Sequence, residues 1–252
     1  MNFAVYRRAA AGLLFCAGCA TGLHSMKSAY VIRRAPTAPL LQGRWDEPAW
    51  RGANVLAVDC FAVGRGSDHR PRTRAKLTYT AEGLLVFFRV ADRYVVSTRT
   101  NFQDAVYKDA CVECFVQPKP DKGYFNFEMN AGGTLLLTYI EDPTRTPDGF
   151  KKFSRLPAAA DARVPRYHSL PRVVAPEAAG PVDWCVEYFI PFALLAEYVG
   201  PLGPIAGQTW RANFFKCADD SSHPHWASWA PLPADFAGGF HRPDCFAPIR
   251  FE

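Results

Sequence analysis

Between Asp109 and Gly133 the chain reads DACVECFVQPKPDKGYFNFEMNAGG, two short apolar runs hinged on a turn of Pro, Asp, Lys and Gly. Runs of this length, Cys111 to Gln117 and Tyr124 to Asn130, are strands rather than helices. Side chains alternate faces along a strand. Val112, Cys114 and Val116 therefore share one face and read as core, while Cys111, Glu113 and Phe115 share the other. Each run carries one carboxylate among aromatic and aliphatic neighbours, Glu113 on the first and Glu128 on the second. On the Glu113 face an ionised group sits beside an aromatic, where a polar ligand can lie.

The same punctuation runs through the chain. Its 21 prolines and 18 glycines are spread out rather than clustered, and no long stretch keeps a helical period. Strands are expected at Arg74 to Thr80 and Leu84 to Val90, hinged at Ala81-Glu82-Gly83. Further strands are expected at Thr134 to Ile140, Val182 to Ile190, Gln208 to Cys217 and Pro248 to Phe251. Leu40 to Trp50 reads as an entry strand, a turn and an anchoring Trp. Phe192 to Val199 reads as one or two helical turns, and Glu141 to Pro181 as irregular surface with a short strand or two. Roughly nine to eleven short strands without long helices give an all-β fold, a β-sandwich of two antiparallel sheets. Trp50, Trp184 and Trp210 belong to its core.

The N-terminus has a different logic. Arg7 and Arg8 precede an apolar run, Ala9 to Phe15, and then Cys16-Ala17-Gly18-Cys19-Ala20-Thr21. A basic segment, a short apolar stretch and small residues make an export signal, too short to span a bilayer. Ala17-Gly18-Cys19 resembles a bacterial lipobox, although Cys16 stands where Leu is usual. On that resemblance residues 1–18 are a signal peptide, and Cys19 is the lipid-attachment site that ties the protein to a membrane. Residues 19–39 are then a linker, and 40–252 one domain. The expected location is the cell envelope, otherwise the periplasm or the exterior. The formal charge of +5 is scattered, which excludes nucleic acid as the natural partner. Six cysteines follow Cys19, and their full pairings number 15. Cys111 and Cys114 have C-x-x-C spacing, but alternation points them to opposite faces, so redox or metal chemistry there is not expected.

Seven fragments, in order, now form a pattern. They are Leu41-x-Gly43-x-Trp45-Asp46-Glu47-Pro48-Ala49-Trp50; Gly83-Leu84-Leu85-Val86-Phe87 with Asp92; and Asp109-x-x-Val112-Glu113-x-Phe115. Then come Phe127-Glu128-x-Asn130, Trp184-x-Val186-Glu187-x-x-Ile190-Pro191, Trp210-x-x-Asn213-Phe214 and Phe240-His241-x-Pro243-x-x-Phe246. The series resembles the family 9 carbohydrate-binding modules and spans nearly all of 40–252. The resemblance implies a β-sandwich that grips a sugar between two aromatic rings, without catalysis. Tyr107 and Phe240 stand at the two ring positions, where well-studied members carry Trp. Glu113 matches the ligand-bonding carboxylate; Glu128 stands where some members have a basic residue, and Ala247 where Gly is usual. Asp109 caps the turn or adds a contact to an ion or ligand. Trp229, with Trp226 three residues earlier, would extend a sugar platform. The implied partner is an oligo- or polysaccharide. No cofactor is implied, though the resemblance leaves room for a structural calcium.

Rival chemistries leave thinner traces. Glu113, Glu128 and Glu187 are candidates for an acid/base pair in glycoside hydrolysis, and His223, His225 and His241 with Asp219 or Asp220 for a metal site that matches no ligand spacing. A haem-binding relative of the same sandwich would need Met or His ligands, and Met26 and Met129 are the methionines beyond the leader. A protein-interaction module without a sugar site is the remaining alternative.

Overall fold

A computed structural model of the chain describes residues 28–38, 40–62 and 64–252. Cys19 and the rest of the signal segment lie outside the described residues. Among those described, the strands are β1 (Tyr30–Arg34), β2 (Val55–Val58), β3 (Cys60–Phe61), β4 (Arg72–Tyr79), β5 (Gly83–Asp92), β6 (Val95–Ser97), β7 (Cys111–Gln117) and β8 (Tyr124–Asn130). They continue with β9 (Leu135–Thr146), β10 (Gly149–Arg155), β11 (Arg166–His168), β12 (Val174–Ala178), β13 (Val182–Pro191), β14 (Thr209–Cys217), β15 (Trp226–Ser228) and β16 (Ala247–Phe251). The helices α1 (Pro48–Arg51), α2 (Ala159–Ala162) and α3 (Phe192–Val199) are short.

The strands make a β-sandwich. One layer runs β10-β9-β8-β7-β14-β16-β1, with β15 and β3 continuing beyond β14; the other runs β1-β4-β5-β13-β11, with β2 on β4. Strand β1 belongs to both layers. Its Tyr30 to Ile32 pair in parallel with β16, and its Arg33 and Arg34 pair in parallel with β4. This corrects two expectations: the presumed linker over 19–39 contains a sheet-joining strand, and the sheets are not purely antiparallel.

The region after Ile140 also departs from its expected irregularity. β9 continues to Thr146 and returns as β10, and α2, β11 and β12 follow.

The layers close on each other through the faces that alternation assigned to the core. Val112, Cys114, Phe127, Met129, Leu137 and Phe214 meet Leu77, Val86, Phe88, Trp184 and Tyr188, all buried in one cluster. Rings cross the gap, Phe88 to Phe214 at 6.2 Å and Phe127 to Tyr188 at 6.4 Å. Each such side chain contributes about 1.5–3 kcal/mol when removed from water. A polar cluster closes one end: Lys216 Nζ lies 3.4 Å from Asp92 Oδ2 and 2.8 Å from His225 Nε2. Asp92 also pairs with His69 at 2.7 Å and accepts from Trp184 Nε1 at 3.1 Å. These contacts compensate a buried charge pair.

Candidate functional site

The opposite face of the β7–β8–β9 layer is not covered by the second sheet. Its odd-numbered β7 positions point there, with Cys111 and Phe115 in a separate cluster with Tyr124, Leu136, Phe215, Cys217 and Phe240. On this face β7 and β8 set Glu113 directly opposite Glu128. A cavity of about 400 Å³ opens above the pair, within the range of small-ligand pockets.

The floor is polar but desolvated. Asn126 Nδ2 donates to Glu128 Oε1 at 2.6 Å, and its own Oδ1 accepts from Thr138 N at 2.8 Å, which fixes the amide. Glu128 Oε2 is buried with no protein partner. Cys217 Sγ donates to Glu113 Oε1 at 3.1 Å. Burial raises Glu113 well above the usual carboxylate range, and the neighbouring Cys217 and Glu128 push it the same way. Burial likewise lifts Glu128 to about 8, against the opposing pull of the Asn126 amide. Both carboxyls therefore favour their protonated forms at neutral pH.

Three segments wall the cavity. Tyr107, on a 3-10 turn at Val106–Lys108, is 36% exposed and lines one side. Its carbonyl accepts from Asp219 N at 3.2 Å, joining this turn to the segment after β14. Phe240 lines the cavity with its ring stacked on Phe215 at 4.2 Å, and is 8% exposed. The β9–β10 hairpin supplies Arg145, Phe150, Phe153 and Arg155. The Arg145 guanidinium sits 4.3 Å over Phe150. His241 packs on the same ring at 4.4 Å and bonds Tyr124 Oη through Nδ1 at 2.9 Å. Burial, helped by Arg145, lowers His241 to about 3, so it is neutral.

Tyr107, Glu113, Glu128 and Phe240 thus meet around one space, although they are far apart in the chain. Two other site candidates do not join them. Asp109 is fully buried and accepts from Thr98 N, Thr98 Oγ1, Arg99 N, Arg99 Nη1 and Asn130 Nδ2 at 2.8 to 3.2 Å. Its acceptor sites are used up inside the fold. Trp229 is 3% exposed, wedged edge-on between Tyr30 and Phe214. Trp226 is the tryptophan at the cavity, its Nε1 donating to Asp219 Oδ1 at 2.7 Å. Glu187 lies on the other layer, where it binds the backbone N–H groups of Gln42 and Gly43 and the Trp50 indole. It is no partner for Glu113. Among the described residues His223, His225 and His241 do not gather into one ligand set. Cys111 and Cys114 do face apart, into different clusters.

A two-layer sandwich carrying a carboxyl-floored, aromatic-walled cavity on one outer face is the frame of a ligand-binding module. Residues 52–251 match the family model described as carbohydrate-binding family 9, and the chain belongs to that family. No curated protein matches the chain. Among solved structures, one from Bacteroides uniformis, described as that of a candidate carbohydrate-binding protein, is 24% identical. The match covers 89% of this chain and 99% of that one, with a TM-score of 0.75. Family 9 modules from Caldicellulosiruptor kristjanssonii, solved with glucose and with cellotriose, are each 14% identical over 88% of this chain. They are covered to 95% and 93%, with TM-scores of 0.57 and 0.58.

Proposed function

We propose that the chain is a non-catalytic carbohydrate-binding module and that the sugar enters the cavity above Glu113 and Glu128. The observation that carries this reading is Glu128 Oε2, a buried acceptor left without a protein partner in a cavity walled by aromatic rings. A sugar hydroxyl satisfies such an acceptor, while the C–H face of a pyranose packs on an aromatic surface. Tyr107 and Phe240 supply the rings and Trp226 adds a third; Glu113 and Glu128 hold hydroxyls. Family membership and the glucose and cellotriose complexes of the Caldicellulosiruptor modules support it.

Tyr and Phe offer less area than Trp, so affinities of about 4–8 kcal/mol, millimolar to micromolar, are expected. Titration calorimetry across neutral and acidic mono- and oligosaccharides tests this. Tyr107→Ala should weaken the best ligand about ten-fold. Absence of heat across the whole panel overturns the reading, and release of new reducing ends from a bound oligosaccharide overturns its non-catalytic part.

The N-terminal motif supports a companion proposal: export to the cell envelope with Cys19 acylated. Palmitate labelling that persists in Cys19→Ala would refute the attachment site.

A further inference from the structure

Cys111 and Cys114 face apart, but Cys111 has another cysteine beside it. Cys111 on β7 is the register partner of Cys217 on β14, directly across the antiparallel ladder. Glu113 is the next position on the same face of β7. One ligand atom from each of Cys111, Cys217 and Glu113 lies within 4.8 Å of the others. All three side chains are buried, at 0%, 1% and 2% exposure.

We propose that Cys111, Cys217 and Glu113 form a binding site for a thiophilic divalent cation of the zinc class, with its fourth position open to the cavity. Two sulfurs and one carboxylate oxygen select such a cation over calcium or magnesium, which take oxygen ligands. A tetrahedral zinc ion keeps sulfur and oxygen ligands about 3.3–3.8 Å apart. The 3.1 Å contact of Cys217 Sγ with Glu113 Oε1 already lies close to that spacing. The ligands come from adjacent paired strands, so the site is held by a sheet and not by a loop.

The open side also has an occupant in view. Cys217 and Glu113 both line the cavity. A water on the cation, or a sugar hydroxyl in its place, would face Glu128, whose Oε2 has no partner and whose backbone is paired with that of Glu113. An outer carboxylate that accepts from a metal-bound water is a usual supporting group. Cys114 takes no part, because it points into the core between the layers.

The test uses the metal alone, so it succeeds or fails independently of sugar binding. Full-length protein is treated with a phosphine reductant and chelator, its thiols are counted as reduced, and cobalt(II) is added. The expected result is a thiolate-to-cobalt charge-transfer band that saturates at one ion per chain and is displaced by zinc but not by calcium. Cys111→Ser and Cys217→Ser should each weaken zinc about 100-fold. Glu113→Gln, which leaves both thiols in place, should weaken it too, and Cys245→Ser should not. Circular dichroism checks that each variant is folded. A reduced wild type that gives no thiolate–cobalt band overturns the proposal, as does zinc affinity unchanged in a folded Glu113→Gln variant.

Discussion

Replacing Asp109 by alanine should lower the unfolding free energy by about 3–5 kcal/mol while leaving the cavity lining itself intact. The carboxylate collects two backbone N–H groups, from Thr98 and Arg99, together with the Asn130 amide, the Thr98 hydroxyl and the Arg99 guanidinium. Alanine strands these donors without water. Arg99 keeps its second partner, since its Nη2 is 2.6 Å from Asp220 Oδ2, so the loss comes mainly from the buried amides. Asp109→Asn retains one acceptor oxygen and should cost less. Urea denaturation at pH 7 measures both. If Asp109→Ala unfolds within about 1 kcal/mol of the wild type yet no longer binds sugar, Asp109 belongs to the ligand site after all.

The fate of Asp109 shows which part of a site a sequence can carry. Local alternation reported the faces of β7 correctly, because a strand with one face in the core has its register set by hydrophobic pattern. Cys111, Glu113 and Phe115 lie on the cavity side and Val112, Cys114 and Val116 in the core. Alternation does not say what a polar side chain will find on its face. Asp109, two residues before β7, finds the Thr98–Arg99 backbone, and Glu113, within the strand, finds a cavity. The choice between Trp226 and Trp229 has the same character. β15 is three residues long and ends at Ser228, so Trp229 lies beyond it, and distant residues such as Tyr30 and Phe214 make it core.

Pro147-Asp148-Gly149 makes a hairpin turn near the start of the stretch expected to be irregular surface with a short strand or two, and Asp148-Gly149 is a strong short-range cue for it. Gly149 sits at φ 126°, outside the range that other residues prefer. The second half of β9 and all of β10 are half-buried or exposed and rich in charge, so their hydrophobic period is weak. Yet this hairpin brings Arg145, Phe150, Phe153 and Arg155 to the cavity. Strand β1 was hidden for a related reason. Five residues, Tyr30 to Arg34, with two trailing arginines, become a strand because their backbone bridges two sheets.

As pH rises from about 4.5 to 8, metal-free wild-type protein should lose roughly 4 kcal/mol of stability relative to Glu128→Gln. Glu128 is raised to about 8 by burial, so the folded state keeps a proton there that the unfolded chain releases near its ordinary value. Stability from such a group is fully present below the unfolded pKa and is lost as pH climbs through the folded one. Glutamine keeps the amide contact from Asn126 but has no proton to lose. The comparison between proteins is needed because two other buried groups titrate oppositely. His225 and His241 are both lowered to about 3, mainly by burial. They contribute stability that is present above the unfolded value, near pH 6.5, and is lost on acidification toward 3. In the absolute profile the two histidines oppose Glu128 and the likewise raised Glu113 between about 4.5 and 6.5, so the net fall in the wild type should begin above about 6.5. Chemical denaturation in chelating buffers from pH 4 to 9, run on both proteins, reads the difference directly. Parallel profiles would mean that Glu128 is ionised in the folded protein, and a sugar hydroxyl would then meet a carboxylate already held by the fold.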